Sequence, residues 1–308
     1  MNQLALIGLG RMGGNMARRL SRAGIALAVH NRTHEAAQRL AAEEAHAQAY
    51  ARFEDMLASL DRPRIVWLML PAGAATDGAL ETLVPLLDAG DLVVNGANDY
   101  YRDSLAQAAR LAEKGIDFVD AGVSGGVWGL DSGYALMLGG SARSIARLKP
   151  VILALAPAAD QGWVHCGPVG SGHYAKMVHN GIEYGMMQAL AEGFALLEAK
   201  RDFAFDLAAV GEAWRVGSVV RSWLLDLTVA ALNRDPHMES IEPFVADSGE
   251  GRWTVLEAVE HGVPAPVMTQ ALYGRFASQG RGDFANKLLA MMRKGFGGHA
   301  VKQEGGHD

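Results

Sequence analysis

The side chains with the clearest chemical potential lie in the segment KMVHNGIEYG, residues 176–185. An amine, an imidazole, an amide and a carboxylate recur there at the i, i+3, i+4, i+7 spacing of one α-helical face. The four residues are Lys176, His179, Asn180 and Glu183. Because an amine and a carboxylate can serve as the base and the acid of a proton transfer, this polar stripe is a candidate catalytic site.

The remaining faces of this helix are apolar. Their large side chains rise at steps of four: Tyr174, Val178, Ile182 and Met186. A helix that is apolar nearly all round is usually buried, so we expect these faces to be covered. Burying Lys176 and Glu183 without partners would be costly, so the stripe should face a polar cavity. A buried Lys176–Glu183 ion pair with no catalytic role is the structural alternative, although such pairs add little net stability.

The elements that must position this helix follow a repeating pattern. Apolar runs such as LALIGL, IALAVHN and RIVWLMLP are typical of buried strands and alternate with helical segments that end at glycine. This alternation predicts a Rossmann-like α/β domain, a parallel doubly wound sheet, over residues 1–165. Helical patterns alone follow, which predicts an all-α substrate and oligomerisation domain over residues 166–308 with a mobile tail from residue 302.

Composition narrows the functional classes. The chain has 308 residues, enough for two domains, and its net charge of −6 argues against general nucleic-acid binding. The N-terminus lacks the features of a signal peptide, no apolar run is long enough to span a membrane, and Cys166 is the single cysteine. These features predict a cytoplasmic protein with no membrane or nucleic-acid partner. No metal-binding spacing of Cys or His is present.

A glycine motif predicts dinucleotide binding. The segment GLGRMGGNM places Gly8, Gly10 and Gly13 in a G-x-G-x-x-G pattern between the first strand and the first helix. Gly8 would permit a tight turn, Gly10 would let the backbone approach a pyrophosphate, and Gly13 would allow close helix–strand packing. A purely structural tight turn is the alternative.

The end of the second strand indicates which dinucleotide is preferred. NAD-binding sites usually carry Asp or Glu here for the ribose 2′-hydroxyl, whereas this chain has Asn31, Arg32 and Thr33. The missing acid and the adjacent guanidinium predict NADP in preference to NAD. Arg32 as a solvated loop charge is the alternative.

The polar stripe and several other segments resemble the 6-phosphogluconate dehydrogenase family, within the 3-hydroxyacid dehydrogenase superfamily. KMVHNGIEYG is similar to the family's catalytic helix, GLGRMGGNMARRL to its glycine loop and NGANDYYRDS to its substrate loop. GVSGGVWGLDSGYALMLGG, SGEGRWT and RKGFGGHA resemble later substrate segments. The helical half resembles the short form of the family, with one helical unit. The resemblance implies oxidative decarboxylation of 6-phosphogluconate to ribulose 5-phosphate in the pentose phosphate pathway.

The resemblance also implies roles for individual residues. Lys176 would be the base at the C3 hydroxyl and Glu183 the acid in the later proton transfer. The implied cofactor contacts are Gly8, Gly10, Arg11, Met12, Gly13, Asn31, Arg32, Thr33, Leu70, Pro71 and Asn98. The implied substrate contacts are Asn98, Ser124, Gly125, Gly126, His179, Asn180, Tyr184, Arg252, Thr254, Arg275, Arg293 and His299. In the family the Arg293–His299 segment comes from a neighbouring subunit, which implies a homodimer or homotetramer.

Two segments depart from the family pattern. Where the family has Asp-Gly-Gly-Asn-Ser, this chain has Asn95-Gly96-Ala97-Asn98-Asp99, and Asp99 would place an acid near an anionic substrate unless it points away. Val127 and Trp128 replace the family's acidic pair. A different, non-decarboxylating 3-hydroxyacid dehydrogenase, for example one acting on 3-hydroxyisobutyrate, is therefore an alternative. A non-catalytic NADP-binding sensor is a second alternative, but it would not be expected to retain both Lys176 and Glu183.

Overall fold

The computed structural model describes residues 3–302, so the predicted mobile tail lies, apart from Lys302, outside the described residues. The chain forms two compact units, one up to His179 and one from Asn180 onward. The strands of the first unit are β1 (Gln3–Ile7), β2 (Ala26–His30), β3 (Ala47–Ala49), β4 (Ile65–Leu68), β5 (Leu92–Asn95), β6 (Asp117–Ser124), β7 (Ala135–Gly140) and β8 (Trp163–Gly167). Its helices are α1 (Arg11–Arg22), α2 (His34–Glu43), α3 (Phe53–Ala58), α4 (Ala74–Leu83), α5 (Tyr101–Ala112), α6 (Gly129–Ser132) and α7 (Ala142–Leu155).

The eight strands form one sheet in the order β3-β2-β1-β4-β5-β6-β7-β8. The order reverses at β1 and β4, as in a doubly wound sheet. The prediction of a wholly parallel sheet is wrong at one pair, because β7 runs antiparallel to β6. Only residues 125–134 connect these two strands, and a parallel crossover usually needs a dozen or more residues. The chain therefore turns back on itself immediately after Ser124.

Apolar side chains cover both faces of this sheet. One cluster includes Leu6, Leu20, Val29 and Leu138, and another includes Ile7, Leu57, Leu80 and Phe118. The central strands β4 and β5 are buried along their whole length. This explains why their sequences are continuous apolar runs rather than alternating patterns.

The rest of the chain is helical. The division between the units falls within α8 (Ser171–Ala199), which is followed by α9 (Leu207–Arg215), α10 (Trp223–Leu232), α11 (Glu250–Glu260), α12 (Pro266–Ser278) and α13 (Asp283–Gly297). The predicted fold class, a Rossmann-like sheet followed by an all-α region, is confirmed. Within residues 3–302, no helix combines the length and the apolar character that crossing a membrane requires.

Helix α8 leaves exposed part of the apolar surface that its sequence predicts to be buried. Ile182 and Met186 are 52% and 44% exposed, whereas Lys176 and Asn180 on the polar stripe are 7% and 9% exposed. The expectation that the apolar faces are covered is therefore wrong for the middle of the helix in a single chain. Among residues 3–302, no element packs over these two side chains closely enough to bury them.

Candidate active site

The glycine loop has the backbone geometry that a dinucleotide requires. Gly8 has φ +95°, and a Cβ there would lie 2.4 Å from the carbonyl oxygen of Met69. A Cβ on Gly13 would lie 2.0 Å from the carbonyl oxygen of Gly8, so α1 could not pack against the loop if residue 13 had a side chain. A Cβ on Gly10 would meet no atom within 4 Å. Gly10 caps α1, whose first turn has no acidic residue, so this open helix N-terminus fits a pyrophosphate. Arg11 and Met12 are the first two residues of α1.

The end of β2 contacts this loop directly. The Leu9 N–H donates to Asn31 Oδ1 at 3.0 Å, and Asn31 Nδ2 donates to the Thr33 carbonyl oxygen at 3.1 Å. Arg32 and Thr33 are exposed. Asn31 therefore holds the glycine loop and the β2–α2 turn together, and the Arg32 guanidinium is open to solvent beside them. An acid at position 31 could not donate as the Asn31 amide does.

The β4–α4 turn lies on the other side of the glycine loop. A Cβ on Gly8 would lie 2.9 Å from Cδ2 of Leu70, so the Leu70 side chain packs against this backbone. Pro71 is exposed, and its carbonyl oxygen accepts a hydrogen bond from Thr76 Oγ1 at 2.9 Å. Leu70 and Pro71, which are among the implied cofactor contacts, thus lie in the turn beside the glycine loop.

The β5–α5 loop carries Asn98 in a left-handed conformation, with φ +56°. Asp99, the next residue, is only 2% exposed, and its carboxylate accepts hydrogen bonds from the Gly73 N–H at 2.9 Å and from Asn95 Nδ2 at 2.7 Å. The acid that departs from the family pattern therefore points into the protein interior.

The Ser-Gly-Gly segment forms the tight turn that reverses the chain after β6. Ser124 ends the strand, and Gly125 and Gly126 both have positive φ, +140° and +55°. A Cβ on Gly125 would lie 3.1 Å from the ring of Tyr134, so this turn closes against a buried aromatic side chain. Val127 beyond it accepts a hydrogen bond from Asn15 of α1 at 3.1 Å, which places the turn next to the helix of the glycine loop.

Helix α8 begins directly on strands β6 and β7. The Asp120 carboxylate accepts the N–H groups of Gly170 and His173, each at 2.7 Å, and so caps the helix N-terminus. A Cβ on Gly122 would lie 2.4 Å from Cβ of Lys176. Because Gly122 has no side chain, α8 can approach β6 closely, and this close packing fixes Lys176 over the sheet. Its Nζ lies 3.4 Å from Nδ1 of His179.

His173 is a buried neighbour of this lysine that sequence reasoning did not identify. Its Nδ1 lies 2.7 Å from Oγ of Ser104 on α5. Burial lowers the pKa of the imidazole, although the nearby Asp120 and Asp99 carboxylates oppose this shift. Asp120 and Gly122 were also missed. Gly122 leaves a signal in the sequence, because a glycine inside a strand often marks a close backbone approach.

In the helical unit, the second half of the stripe packs against α11. Asn180 and Tyr184 are buried and Glu183 is half-buried. A Cβ on Gly181 would lie 2.6 Å from Cγ2 of Thr254, so α8 and α11 meet through this glycine. Thr254 is 4% exposed, and its hydroxyl donates to the Glu250 carbonyl oxygen at 2.8 Å.

Two of the arginines that the resemblance implies as substrate contacts already have partners in this unit. Arg275 stacks on the Tyr184 ring, with its guanidinium carbon 3.5 Å from the ring centroid. Arg252 forms an ion pair with Asp247, with a shortest nitrogen–oxygen distance of 2.6 Å, and this hydrogen-bonded pairing lowers the pKa of Asp247. Arg275 therefore contacts a stripe residue directly, whereas the charge of Arg252 is largely balanced within the chain.

The last predicted residues lie at the exposed end of the helical unit. Arg293 lies on α13, a helix with no buried side chain. His299 is exposed, and its ring contacts that of Phe296 at 6.4 Å between centroids. Within the described residues, a single chain places Arg293 and His299 on its surface.

Known proteins share both parts of this arrangement. Residues 3–167 match the family model described as the NAD binding domain of 6-phosphogluconate dehydrogenase, and residues 172–303 match that of the 6-phosphogluconate dehydrogenase C-terminal domain. An NAD(+)-dependent, decarboxylating 6-phosphogluconate dehydrogenase of Haloferax volcanii is 40% identical over 303 residues, covering 98% of this chain and 99% of that protein. A decarboxylating 6-phosphogluconate dehydrogenase of Synechococcus elongatus is 38% identical over 292 residues, covering 90% of this chain and 62% of its own length.

A solved structure supports the same relationship. The Plasmodium falciparum 6-phosphogluconate dehydrogenase superposes with a TM-score of 0.81 at 29% identity, covering 99% of this chain and 67% of that one. The match therefore extends over the sheet, α8 and the helices that follow. Together with the two family models, these similarities show that the chain belongs to the 6-phosphogluconate dehydrogenase family.

Proposed function

We propose that this protein oxidises and decarboxylates 6-phosphogluconate to ribulose 5-phosphate and CO₂, with NADP as the hydride acceptor. The observation that carries the proposal is the buried Lys176 amine on α8, 3.4 Å from His179 and fixed over Gly122 of the sheet. A cofactor domain over residues 1–165 and a substrate domain over residues 166–308 are part of the same proposal.

Lys176 serves as the base in the first step. NADP, when bound, takes the hydride from C3 of the substrate. Burial favours the neutral form of an amine, which is the form that accepts the C3 hydroxyl proton. The resulting 3-keto acid has its carbonyl β to the carboxylate, so the C1–C2 bond can break with its electrons moving toward the ketone. The protonated Lys176 then stabilises the developing negative charge on that oxygen.

Glu183 completes the reaction in this proposal. Loss of CO₂ leaves an enediol, which must gain a proton on carbon to give ribulose 5-phosphate. Glu183 lies two turns beyond Lys176 on the same helix, and it supplies this proton as a general acid. Ser124, Gly125 and Gly126 hold the substrate carboxylate, and Asn98, His179, Asn180, Tyr184 and Thr254 hold its hydroxyls and carbon chain.

The phosphate group requires local positive charge, because the chain as a whole carries −6. Arg275 stacks on Tyr184 in the same unit as Glu183, and its guanidinium suits a phosphate. Arg252 and Thr254 on α11 contribute further donors, with Arg252 exchanging part of its pairing with Asp247 for the ligand.

The preference for NADP rests on Arg32. Its exposed guanidinium follows Asn31, which accepts from the Leu9 N–H of the glycine loop and donates to the Thr33 carbonyl oxygen, and no acid occupies the strand end. A 2′-phosphate is favoured by such a cation. Among the relatives, the Haloferax volcanii enzyme is named NAD(+)-dependent and the Plasmodium falciparum structure is described with NADP+, so cofactor choice varies within the family.

A homodimer or homotetramer is the assembly that fits the helical unit. Helix α13 exposes large apolar side chains along its length, including Phe284, Leu288 and Phe296 at 80%, 49% and 80%. Exposed apolar surface of this extent marks an interaction site. In the proposed oligomer, Arg293 and His299 reach the active site of a neighbouring subunit, which would explain why a single chain leaves them on its surface.

The test is NADPH formation with 6-phosphogluconate, gluconate and 3-hydroxyisobutyrate, with released CO₂ trapped and counted. We expect one CO₂ for each NADPH with 6-phosphogluconate and little reduction with the other two acids. Reduction without CO₂ would instead support a non-decarboxylating dehydrogenase. Tight NADP binding with no turnover of any of the three would support a sensor.

A further inference from the structure

The β5–α5 loop contains a strained residue followed by a buried acid, Asn98 with φ +56° and Asp99 at 2% exposure. We propose that Asp99 is a positioning residue, which holds Asn98 in its reactive orientation and couples this loop to the β4–α4 turn. The inference rests on the proposed function, in which Asn98 lies between substrate and cofactor. Asp99 itself touches neither of them in this proposal.

Three donors surround the Asp99 carboxyl group. Its Oδ1 accepts the Gly73 N–H at 2.9 Å, and its Oδ2 accepts Asn95 Nδ2 at 2.7 Å and Gln107 Nε2 at 3.4 Å. Gly73 caps the N-terminus of α4, where a helix dipole also favours an anion. A buried carboxylate with three donors is stable where an unpaired one would not be.

The left-handed conformation of Asn98 benefits from such an anchor. Positive φ costs most non-glycine residues about 1 kcal/mol or more, and although asparagine adopts it more readily, contacts with its neighbours help to hold it there. Here both flanks of Asn98 are fixed. The Ala97 N–H donates to Asn95 Oδ1 at 2.9 Å on one side, and the Asp99 carboxylate is bound on the other. Asn95 thus completes the clamp by contacting both neighbours of the strained residue.

Asp99 also links two loops directly, in addition to the hydrogen bond from Gln107 Nε2 on α5 to Asp77 Oδ1 on α4 at 3.0 Å. Gly73 belongs to the turn that follows Leu70 and Pro71, the proposed cofactor contacts. The Gly73 φ of +76° and the single hydrogen bond to Asp99 orient the start of α4. One carboxylate therefore sets the spacing between the cofactor turn and the substrate loop, and hydride transfer depends steeply on that spacing.

Asn95 contributes an amide and Asp99 a carboxylate to one hydrogen bond. Exchanging these two residues therefore tests the role of that bond. Asp99→Ala should lower kcat/KM for 6-phosphogluconate by about 10- to 100-fold through misplacement of Asn98. Asn95→Asp should be at least as damaging, because two carboxylates would then face each other at the 2.7 Å contact. The double variant Asn95→Asp/Asp99→Asn restores one donor and one acceptor to that contact, so it should be more active than Asn95→Asp alone. Its recovery should be partial, because Asn95 Nδ2 also donates to Gln107 Oε1 at 2.8 Å and an Asp at position 95 cannot.

A deuterium isotope effect separates positioning from general stabilisation. With 6-phosphogluconate deuterated at C3, Asp99→Ala should show a larger isotope effect on kcat than the wild type, because misplacement makes hydride transfer the slow step. The matched control is Asp77→Asn, which keeps an acceptor for Gln107 and lies outside the Gly73 contact; it should behave as the wild type. Wild-type kcat/KM and isotope effect in Asp99→Ala, or a double variant no better than Asn95→Asp, would overturn the proposal.

Amide hydrogen exchange tests the anchor without relying on turnover. In Asp99→Ala the amide of Gly73 should exchange faster than in the wild type, and the double variant should restore its protection. If the wild type fails to oxidise 6-phosphogluconate, the proposed function fails while this measurement still tests the coupling of the two loops. Unchanged Gly73 protection in Asp99→Ala would overturn the coupling whatever the substrate.

Discussion

The Cβ of Lys176 lies 2.4 Å from the point that a Cβ on Gly122 would occupy. A strand glycine therefore sets how closely α8 approaches the sheet, and through it the position of the proposed base. The Asp120 cap on the same strand fixes the start of the helix, one turn before Lys176. Strand β6 thus sets both the distance of Lys176 from the sheet and the position at which α8 begins.

Gly122→Ala should damage catalysis more than its size suggests. The added methyl would push Lys176 outward, so we expect about 1–3 kcal/mol of destabilisation and a fall in kcat of about 10- to 100-fold. Chemical denaturation and steady-state kinetics measure the two effects. Gly78→Ala is the control, because a Cβ there meets no atom within 4 Å on an exposed helix face; it should gain about 0.5–1 kcal/mol. Wild-type kcat in Gly122→Ala would contradict the argument.

Lys176→Ala should remove the proposed base while leaving the cofactor site intact. We expect kcat to fall by about 10²- to 10⁴-fold, the usual contribution of a general base. NADP affinity, followed by protein fluorescence, should stay within a factor of about two, since the glycine loop and Arg32 are untouched. Substantial turnover in this variant would exclude the assigned role.

Arg32→Ala should alter cofactor choice alone. Without the guanidinium, the KM for NADP should rise by about 10- to 100-fold, the value of one or two charge-assisted hydrogen bonds to phosphate. The KM for NAD should change little, because NAD has no 2′-phosphate. Kinetics with both cofactors side by side measure this effect, and a wild-type enzyme that prefers NAD would refute the Arg32 hypothesis.

Buried His173 should make folding stability fall in mild acid. Its folded-state pKa is lowered from 6.5 chiefly by burial, so below pH 6.5 the unfolded chain binds a proton that the folded chain resists. Stability from this group is therefore complete above pH 6.5 and is lost as pH falls toward the lower, folded-state pKa. Urea unfolding between pH 7.5 and about 5 should show a smaller loss for His173→Asn than for the wild type.

The exposed His46 provides the comparison for that experiment. His46→Asn makes the same substitution at an exposed position and so controls for the exchange of His for Asn itself. Equal slopes for the wild type, His46→Asn and His173→Asn would show that His173 does not govern acid stability.

Mixing two inactive variants tests the shared active site. If Arg293 acts in a neighbouring subunit, then Lys176→Ala and Arg293→Ala should each be poorly active alone. A mixed dimer would contain one site with both residues intact, so random reassociation should restore about a quarter of wild-type activity. No gain on mixing, with exchange of subunits verified by mass, would place Arg293 in its own chain's site or outside the site altogether.

Local sequence patterns predicted most of the helices and strands, but not the direction in which each strand runs. Continuous apolar runs predicted the buried strands β4 and β5, and the loss of strand patterns after residue 167 predicted the helical region. The reversal between β6 and β7 was missed, because a hydrophobic run looks the same whichever way its strand pairs, and the shortness of the ten-residue connection was not used. Short strands such as β3 were missed because three residues carry too little periodicity.

The sequence did not predict which side chains are buried or which way they point. The pattern at Ile182 and Met186 predicted burial, yet both are exposed in one chain, because periodicity identifies an apolar face without identifying what covers it. The acid at position 99 looked harmful to an anionic ligand, yet it points inward to three donors. Neither outcome can be read from the sequence pattern, since it depends on how α8 packs and on the Gly73 N–H, 26 residues from Asp99.

By itself, the sequence determined the fold class, the glycine loop, the family and the placing of Lys176 and Glu183 on one helical face, because each depends on spacing over a few residues. Tertiary structure alone decided that Asp120 caps α8, that Gly122 sets the height of Lys176, and that Asp99 joins two loops. These relationships depend on groups tens of residues apart meeting within hydrogen-bond or van der Waals distance, and only the folded chain brings them together.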